Sequence, residues 1–257
     1  MKQLLLAAAL VPALLLAIAA TSFADDNLPA PAVPDIPEMV SRTTGQYSIG
    51  VQCHPDRTVL EWVSERLMYF CRDLAFVRDA KLMELREDSG VEDIVEYYFQ
   101  ALGGENSARE PLPFGDPVPQ GGILLTEVCW LGHCCTMQRD VWEDSGNAGN
   151  HTVRQWFTID TRTGRVLRLD DIIRRKGFAD FADQAVKFLR VQDGGLWTEY
   201  HSFSDSAALI AGADGCALVQ EGVLVWYNPY SIASGNEGVV SALVPYHLAA
   251  GNLRSCL

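Results

Sequence analysis

The sequence is poor in basic residues. Lysine and arginine together number 20 against 33 aspartates and glutamates, so the formal net charge is −13. Nucleic-acid binding requires a basic face that neutralises phosphates, so this balance argues against nucleic acid as a partner. An acidic chain instead favours cationic partners, or simply good solubility. Hydrophobic residues make up 48% of the chain, which is typical of a globular protein rather than of a disordered one.

The usual sequence signatures of catalysis are also missing. The chain contains no Gly-x-Ser-x-Gly sequence and no phosphate-binding glycine loop. His133, Cys134 and Cys135 are consecutive, whereas zinc ligands are usually spaced so that they can converge. The adjacent carboxylates of Asp170 and Asp171 are better explained as caps of a short helical turn than as a hydrolytic pair. We therefore expect no metal, no cofactor and no catalytic residue.

A long apolar run occurs only at the N-terminus. Lys2 precedes an apolar stretch over residues 4–20, and residues 22–24 form a small-x-small cleavage site. This arrangement is typical of a secretory signal peptide over residues 1–24, and it predicts a periplasmic or secreted protein with no membrane insertion after cleavage. The alternative is a retained anchor, for which the run is at the short limit. Residues 25–44 are proline-rich and are predicted to form a disordered leader.

The chain has seven cysteines, all of them after the signal segment. In an exported protein this usage favours disulfides, and the odd number leaves at least one thiol unpaired or intermolecular. Position along the chain favours two pairs, Cys53 with Cys71 and Cys216 with Cys256. The alternative is that some of these cysteines are simply buried small hydrophobic residues.

Hydrophobic periodicity separates predicted helices from predicted strands. Apolar residues at gaps of three and four predict helices over 57–79, 91–102 and 178–191, the second of them stopped by Gly103 and Gly104. Shorter apolar or alternating runs predict strands over 46–52, 122–130, 134–142, 151–160, 166–169, 216–219, 223–226 and 239–244. Cys134 and Cys135 are neighbours on one such strand, so they should point to opposite faces, with only one facing the core.

The predicted fold class is α+β, an antiparallel sheet with helices packed on one face. Strands that follow one another through tight turns pair antiparallel, and the helices then cover one side of the sheet. We expect a small α+β N-terminal subdomain over residues 45–120 and a C-terminal α+β domain over residues 121–257.

Three segments of the C-terminal half carry a family resemblance. They read WEDSGNAGNH at 142–151, FTIDTRTGRVLRLDDII at 157–173 and EGVLVWYNPYSIASGNEGVVSALVPYHL at 221–248. In this order they resemble the extracytoplasmic domain of the lysozyme-sensing anti-sigma factor RsiV, which also occurs in a peptidoglycan deacetylase and in many uncharacterised exported proteins. The helix near Arg57 and the strand before it resemble the small domain that usually precedes it. The loop before His151 departs from the family's usual Gly-Gly-Ala-His.

The resemblance implies an RsiV-like C-terminal domain that binds a cell-wall-related ligand without catalysis. Lysozyme and peptidoglycan are the candidate partners, and the acidic charge suits a cationic lysozyme. We expect only the ligand-binding part of such architectures here, and not an enzyme. Two alternatives stay open: a cell-wall hydrolase that uses two carboxylates, and a structural envelope protein with no dedicated ligand.

Candidate binding residues are charged and aromatic side chains in or beside predicted loops, where partner-contacting groups often lie. His151 follows a Gly/Asn loop and either binds a ligand or closes the loop with a hydrogen bond. The tyrosines stand near prolines at strand ends and form either an exposed ledge or half-buried anchors of the sheet. The complete set is Glu143, Asp144, His151, Glu221, Tyr227, Tyr230, Glu237 and Tyr246.

Overall fold

A computed structural model of the chain describes residues 37–43, 47–74, 79–104, 120–144, 150–189, 205–233 and 238–254. The predicted signal peptide and Cys256 lie outside these ranges. The first elements are strands β1 (Val40–Thr43) and β2 (Tyr47–Gln52), followed by helices α1 (Arg57–Asp73) and α2 (Val91–Ala101). Within the described ranges, no helix has the length and apolar character needed to cross a membrane.

The second half begins with four strands and continues with helices and a second set of strands. The strands β3–β6 span Gln120–Leu131, Cys134–Asp144, Asn150–Asp160 and Arg165–Val166. The helices α3–α5 span Leu169–Ile172, Phe178–Phe188 and Ser206–Ala211. The strands β7–β9 span Gly215–Val219, Gly222–Tyr227 and Val240–Pro245, and helix α6 spans Tyr246–Ala249.

The strands form two sheets. The larger has the order β1-β2-β3-β4-β5-β6 and the smaller the order β7-β8-β9. All pairs are antiparallel except β2 with β3, which are parallel. A parallel pair needs a crossover between its strands, and α1 and α2 lie on that connection. The structure confirms the predicted α+β class with a mainly antiparallel sheet.

Each face of the larger sheet is covered by its own hydrophobic core. On one face, β2–β5 pack against α1 and α2 through residues such as Ile49, Leu67 and Ile94. The second core joins β7–β9 to α4 and α5. Cys135 belongs to the first core and Cys134 to the second, which confirms that they point to opposite faces. The expectation that only one of them faces a core was wrong, because the sequence pattern did not reveal the second sheet.

The two sheets meet where the outer edge of β7 lies on the larger sheet. Thr136 and Thr158 are fully buried neighbours on β4 and β5, with their hydroxyl oxygens 2.8 Å apart. The Thr136 hydroxyl donates to the carbonyl of Leu218, and the Leu218 N–H donates to the Thr158 hydroxyl at 2.8 Å. Both main-chain groups of Leu218 that face the larger sheet are therefore satisfied by threonines.

Helix α1 begins where predicted and ends earlier. The Asp56 carboxylate caps it by accepting from the main-chain N–H groups of Thr58 and Val59. The predicted end at residue 79 was wrong, since the helix ends at Asp73 and the chain from residue 80 to 86 carries no helix. Arginines hold this later segment: Arg72 donates to the Ala80 carbonyl, and Arg57 donates to the carbonyls of residues 85 and 86.

The predicted leader and subdomain boundaries need correction. Residues 40–43, at the end of the predicted disordered leader, form β1 and pair with β2. The predicted boundary at residue 120 falls between β2 and β3 of one sheet, and residues on both sides of it share one core. The described residues between 37 and 254 group as one compact unit.

The predicted pair Cys53 and Cys71 is not a disulfide in this structure. Both are buried free thiols, as is Cys216. Cys53 and Cys71 are not bonded because they have different neighbours. Cys53 follows β2 beside Glu127, whereas the Cys71 sulfur lies 4.0 Å from the Tyr98 carbonyl of α2. Burial raises the pKa of each of the three thiols to about 12, so all three are held neutral.

Candidate functional site

The predicted binding residues do not form one site. The β4–β5 register places Glu143 opposite His151 and Asp144 opposite Asn150, so three of them share one end of that hairpin. Glu221 is exposed in the turn between β7 and β8, on the smaller sheet. Glu237 lies outside the described residues.

The three predicted tyrosines have different environments. Tyr227 is buried, and its hydroxyl donates to the Leu209 carbonyl at 2.8 Å, so it anchors the sheet and is closed to a ligand. Tyr246 is half-buried and donates to the Val219 carbonyl at 2.8 Å. Only Tyr230 is exposed, with 59% of its surface accessible, and it has a left-handed φ of 69°. Of the two alternatives for Tyr227, the structure therefore supports the anchor of the sheet.

One recess lies at the edge of the larger sheet. Strand β6 is two residues long and pairs with Ile159 and Asp160, so within the described ranges most of the outer edge of β5 has no strand partner. A cavity of about 650 Å³, here called the aromatic cavity, opens between this edge and β7. Its principal lining residues are Trp156, Phe157, Leu167, Phe178, Ile210, Ala211, Gly215 and Trp226.

A second cavity of about 630 Å³, the arginine cavity, adjoins the first. It is lined by Arg66, Phe157, Arg165, Val166, Arg168, Asp170 and Asp171. Four residues, Phe157, Val166, Arg168 and Asp170, line both cavities. We call the two together the β6 groove, because β6 runs through the middle of it.

Aromatic rings build the wall of the groove. The Phe157 ring centroid lies 5.5 Å from that of Trp62 on α1 and 6.2 Å from that of Trp226 on β8. The Trp226 indole N–H donates to the Trp156 carbonyl at 3.2 Å, and the Trp156 indole N–H donates to Gln138 at 3.0 Å. These contacts fix the rings before any ligand arrives.

The arginine cavity carries more positive than negative charge. The Arg66 guanidinium lies 5.5, 5.6 and 5.9 Å from the ring centres of Trp62, Tyr69 and Phe157, which is cation–π distance. Arg165 contacts Asp171 at 3.5 Å, and the same carboxylate accepts the Arg168 main-chain N–H at the start of α3. The predicted capping role of Asp171 is thereby confirmed.

A second arginine stands behind Arg66. Burial lowers the pKa of Arg139, and the charge of Arg66 lowers it further, while Asp73 opposes both. Arg139 donates to the Gln155 side chain at 2.8 Å, which is a neutral acceptor. Two guanidiniums are thus close enough to repel each other on this face of an otherwise acidic molecule.

A third recess, the α1 groove, has the opposite charge. It measures about 660 Å³ and lies between α1 and residues 82–85. Glu61, Glu65 and Glu84 line it together with Arg57, which pairs with Glu61 at 2.9 Å. Its apolar lining includes Tyr69 and Leu82, which are 43% and 54% exposed. This lining suits a cationic partner with an apolar contact residue.

The side chains of the β6 groove offer apolar ring faces and hydrogen-bond donors to a ligand. Of its carboxylates, Asp171 caps α3, and Asp214 accepts from the Asn228 N–H and the Ser231 hydroxyl, both at 2.7 Å. Among the described residues, no three His, Cys, Asp or Glu side chains are grouped to hold a metal ion. Ring faces beside guanidiniums suit a ligand with both an apolar face and an anionic group.

Sequence reasoning missed the residues of this groove. Arg165 precedes the predicted strand over 166–169 and Arg168 lies within it, and both read as ordinary surface charges. Trp156 and Trp226 stand on strands of different sheets, and only the contact between β5 and β7 brings them together. The available signal was a pair of adjacent aromatic residues on each of two predicted strands, Trp156 with Phe157 and Trp226 with Tyr227.

Comparisons with known proteins support the fold. No family model and no curated protein matches the sequence. A crystal structure of a DUF3298 family member from Bacteroides fragilis is similar over 86% of this chain and 93% of that chain, with a TM-score of 0.50 and 14% identity. A DUF3298 family protein from Pseudomonas aeruginosa covers 81% of this chain and 85% of its own, with a TM-score of 0.47 and 15% identity. At such identities the Bacteroides structure shows a shared fold.

Proposed function

We propose that this protein is an exported, non-catalytic binding domain that takes a cell-wall glycan in the β6 groove. The observation that carries the proposal is the groove itself, an open recess with fixed aromatic rings at one end and arginines at the other. Sugar rings stack on aromatic faces through their apolar C–H surface, and polar groups beside the rings set orientation. The sequence resemblance to RsiV-like extracytoplasmic domains supports a ligand from the cell wall.

The state of the carboxylates favours binding over hydrolysis. Glycoside hydrolysis uses two carboxyl groups that flank the scissile bond. In the described groove, Asp171 and Asp214 already accept structural hydrogen bonds, which leaves Asp170 as the carboxylate without such a bond. A single exposed carboxylate does not supply both an acid and a base.

Calorimetric titration of residues 25–257 with cell-wall oligosaccharides tests the proposal. We expect saturable binding to one site. An Ala211→Trp variant fills the aromatic cavity from an exposed position at the end of α5 and should weaken binding by about tenfold or more. Ala250→Trp, at an exposed position outside the groove, is the matched control and should bind normally.

Two results would contradict the proposed function. Equal affinity for the wild type and Ala211→Trp would mean that the glycan binds outside the aromatic cavity. No saturable binding at all would favour a structural envelope protein. Release of soluble sugar from peptidoglycan that disappears in Asp170→Asn would instead indicate a hydrolase.

Lysozyme binding is the second candidate function, and the α1 groove is the observation that favours it. Three glutamates and two exposed apolar side chains there suit a cationic protein, and the net charge of −13 would accelerate the encounter. A titration with a c-type lysozyme at low and at physiological salt is the corresponding arm of the experiment. A heat of binding that is still measurable at physiological salt would support a specific interface. A heat of binding that disappears as the salt concentration rises would mean charge attraction only.

A further inference from the structure

We propose that the β6 groove selects glycans that carry a carboxylate, because its arginine cavity binds that carboxylate while the sugar ring lies on the aromatic wall. This inference rests on the proposed function and names the ligand class that the groove prefers. The inference concerns the arginine cavity, because the packing of the two sheets does not by itself require the arginines that line it.

The first step is the charge of the cavity lining. Three arginines, Arg66, Arg165 and Arg168, face two aspartates, Asp170 and Asp171. One positive charge is left over in a protein whose net charge is −13. A local excess of positive charge in an acidic molecule is what a site for a monoanion requires.

The second step is the availability of the guanidiniums. Among the described residues, no side chain pairs with the Arg168 guanidinium, and Arg168 is exposed. Within the described part of the chain, Arg66 has one carboxylate partner, its neighbour Glu65 at 3.5 Å, and its side chain is 27% exposed. Both groups keep donors for a ligand, and a carboxylate accepts two parallel N–H bonds from one guanidinium.

The third step is preorganisation. Three aromatic rings hold the Arg66 guanidinium, and Arg139 adds a second positive charge behind it. Because Arg66 is already ordered, little side-chain entropy is lost when it binds an anion. A bound carboxylate would also relieve the repulsion between the two arginines.

The fourth step is that the two cavities share lining residues. Phe157 and Arg168 line both cavities, so one ligand can rest on the ring of the first and reach the guanidinium of the second. Neutral glycans would fill only the aromatic cavity. The cavity's single excess charge matches a carboxylate better than a doubly charged phosphate.

A matched pair of ligands tests the inference. Chitotetraose is a neutral N-acetylglucosamine tetramer, and the alternating tetramer of N-acetylglucosamine and N-acetylmuramic acid differs by its lactyl carboxylates. We expect the acidic tetramer to bind residues 25–257 about tenfold more tightly at low salt. Arg168→Gln should weaken binding of the acidic tetramer much more than binding of chitotetraose, and so remove most of that preference. Arg175→Gln, which removes the same charge at an exposed position outside the groove, should change neither.

The possible failures are distinguishable. Equal binding of the two tetramers, with no effect of Arg168→Gln, would overturn the inference and leave the proposed function intact. If inorganic phosphate displaces the acidic tetramer at lower concentrations than acetate does, the selected group is a phosphate, and the carboxylate assignment is overturned. If neither tetramer binds, the inference and the proposed function both fail.

Discussion

At the scale of single residues, the pair Thr136 and Thr158 joins the two sheets. Replacing Thr158 with Val keeps the shape of the side chain and removes the acceptor of the Leu218 N–H, which is buried at this junction. A buried donor left without a partner costs about 1 to 3 kcal/mol, so we expect the free energy of unfolding to fall by that amount. Urea denaturation followed by circular dichroism measures it.

The same strand supplies the control. Thr152 lies on β5 with an exposed side chain, and Thr152→Val should change the stability by less than about 0.5 kcal/mol. If Thr158→Val and Thr152→Val have the same small effect, the hydroxyl does not hold β7 to the larger sheet.

At the scale of helices and strands, local patterns predicted most elements and none of the long-range pairing. Period-3.6 spacing located α1 and α2, and Gly103 and Gly104 adopt the positive φ angles that end α2 where expected. Strands β2 and β3 pair in parallel although both helices lie between them in the sequence, and no local sequence pattern predicts this pairing. Strand β1 was missed because it follows a proline-rich segment and has little apolar character.

Where β7 pairs with β8, the Trp226 ring occupies the space that a side chain at position 215 would need. Gly215 and Trp226 are register partners, and a Cβ at Gly215 would lie 2.2 Å from the Trp226 Cζ2 atom. Gly215→Ala must therefore displace the indole, which we expect to cost about 1 to 3 kcal/mol and to weaken glycan binding in the aromatic cavity. Thermal denaturation and the glycan titration measure the two effects.

The control for this prediction is Gly251→Ala, because a Cβ there would meet nothing within 4 Å. Stability and binding should both stay close to those of the wild type. If Gly215→Ala also leaves both unchanged, the indole can move freely, and the aromatic wall is not fixed by this strand pair.

At the scale of the whole molecule, the candidate site arises from the contact of two sheets. The sequence led to loop residues such as Glu143 and His151, since loops usually carry binding groups. The groove is instead built from Phe157 and Arg165 of the larger sheet, Trp226 of the smaller sheet and Arg66 of α1. Only the tertiary arrangement brings these together, and a single sequence holds no local pattern for it.

The thiols of Cys53, Cys71 and Cys216 are distributed over both cores, so they report on the whole molecule. Burial raises the pKa of each to about 12, above the value near 8.5 of an unfolded thiol. The stability that they contribute is complete below about pH 8, because the thiols are then neutral in the folded and the unfolded state. It is lost as the pH rises towards 12, because only the thiols of the unfolded state ionise.

At pH 10 we expect the free energy of unfolding to be lower by about 2 kcal/mol per thiol than at pH 7.5. In urea denaturation at the two pH values, Cys71→Ala should lose about 2 kcal/mol less than the wild type on going to pH 10. If the protein instead forms the Cys53–Cys71 disulfide, Cys71→Ala will lose more stability than the wild type on going to pH 10, because the variant frees the Cys53 thiol. Iodoacetamide will then label two fewer thiols in the unfolded wild type.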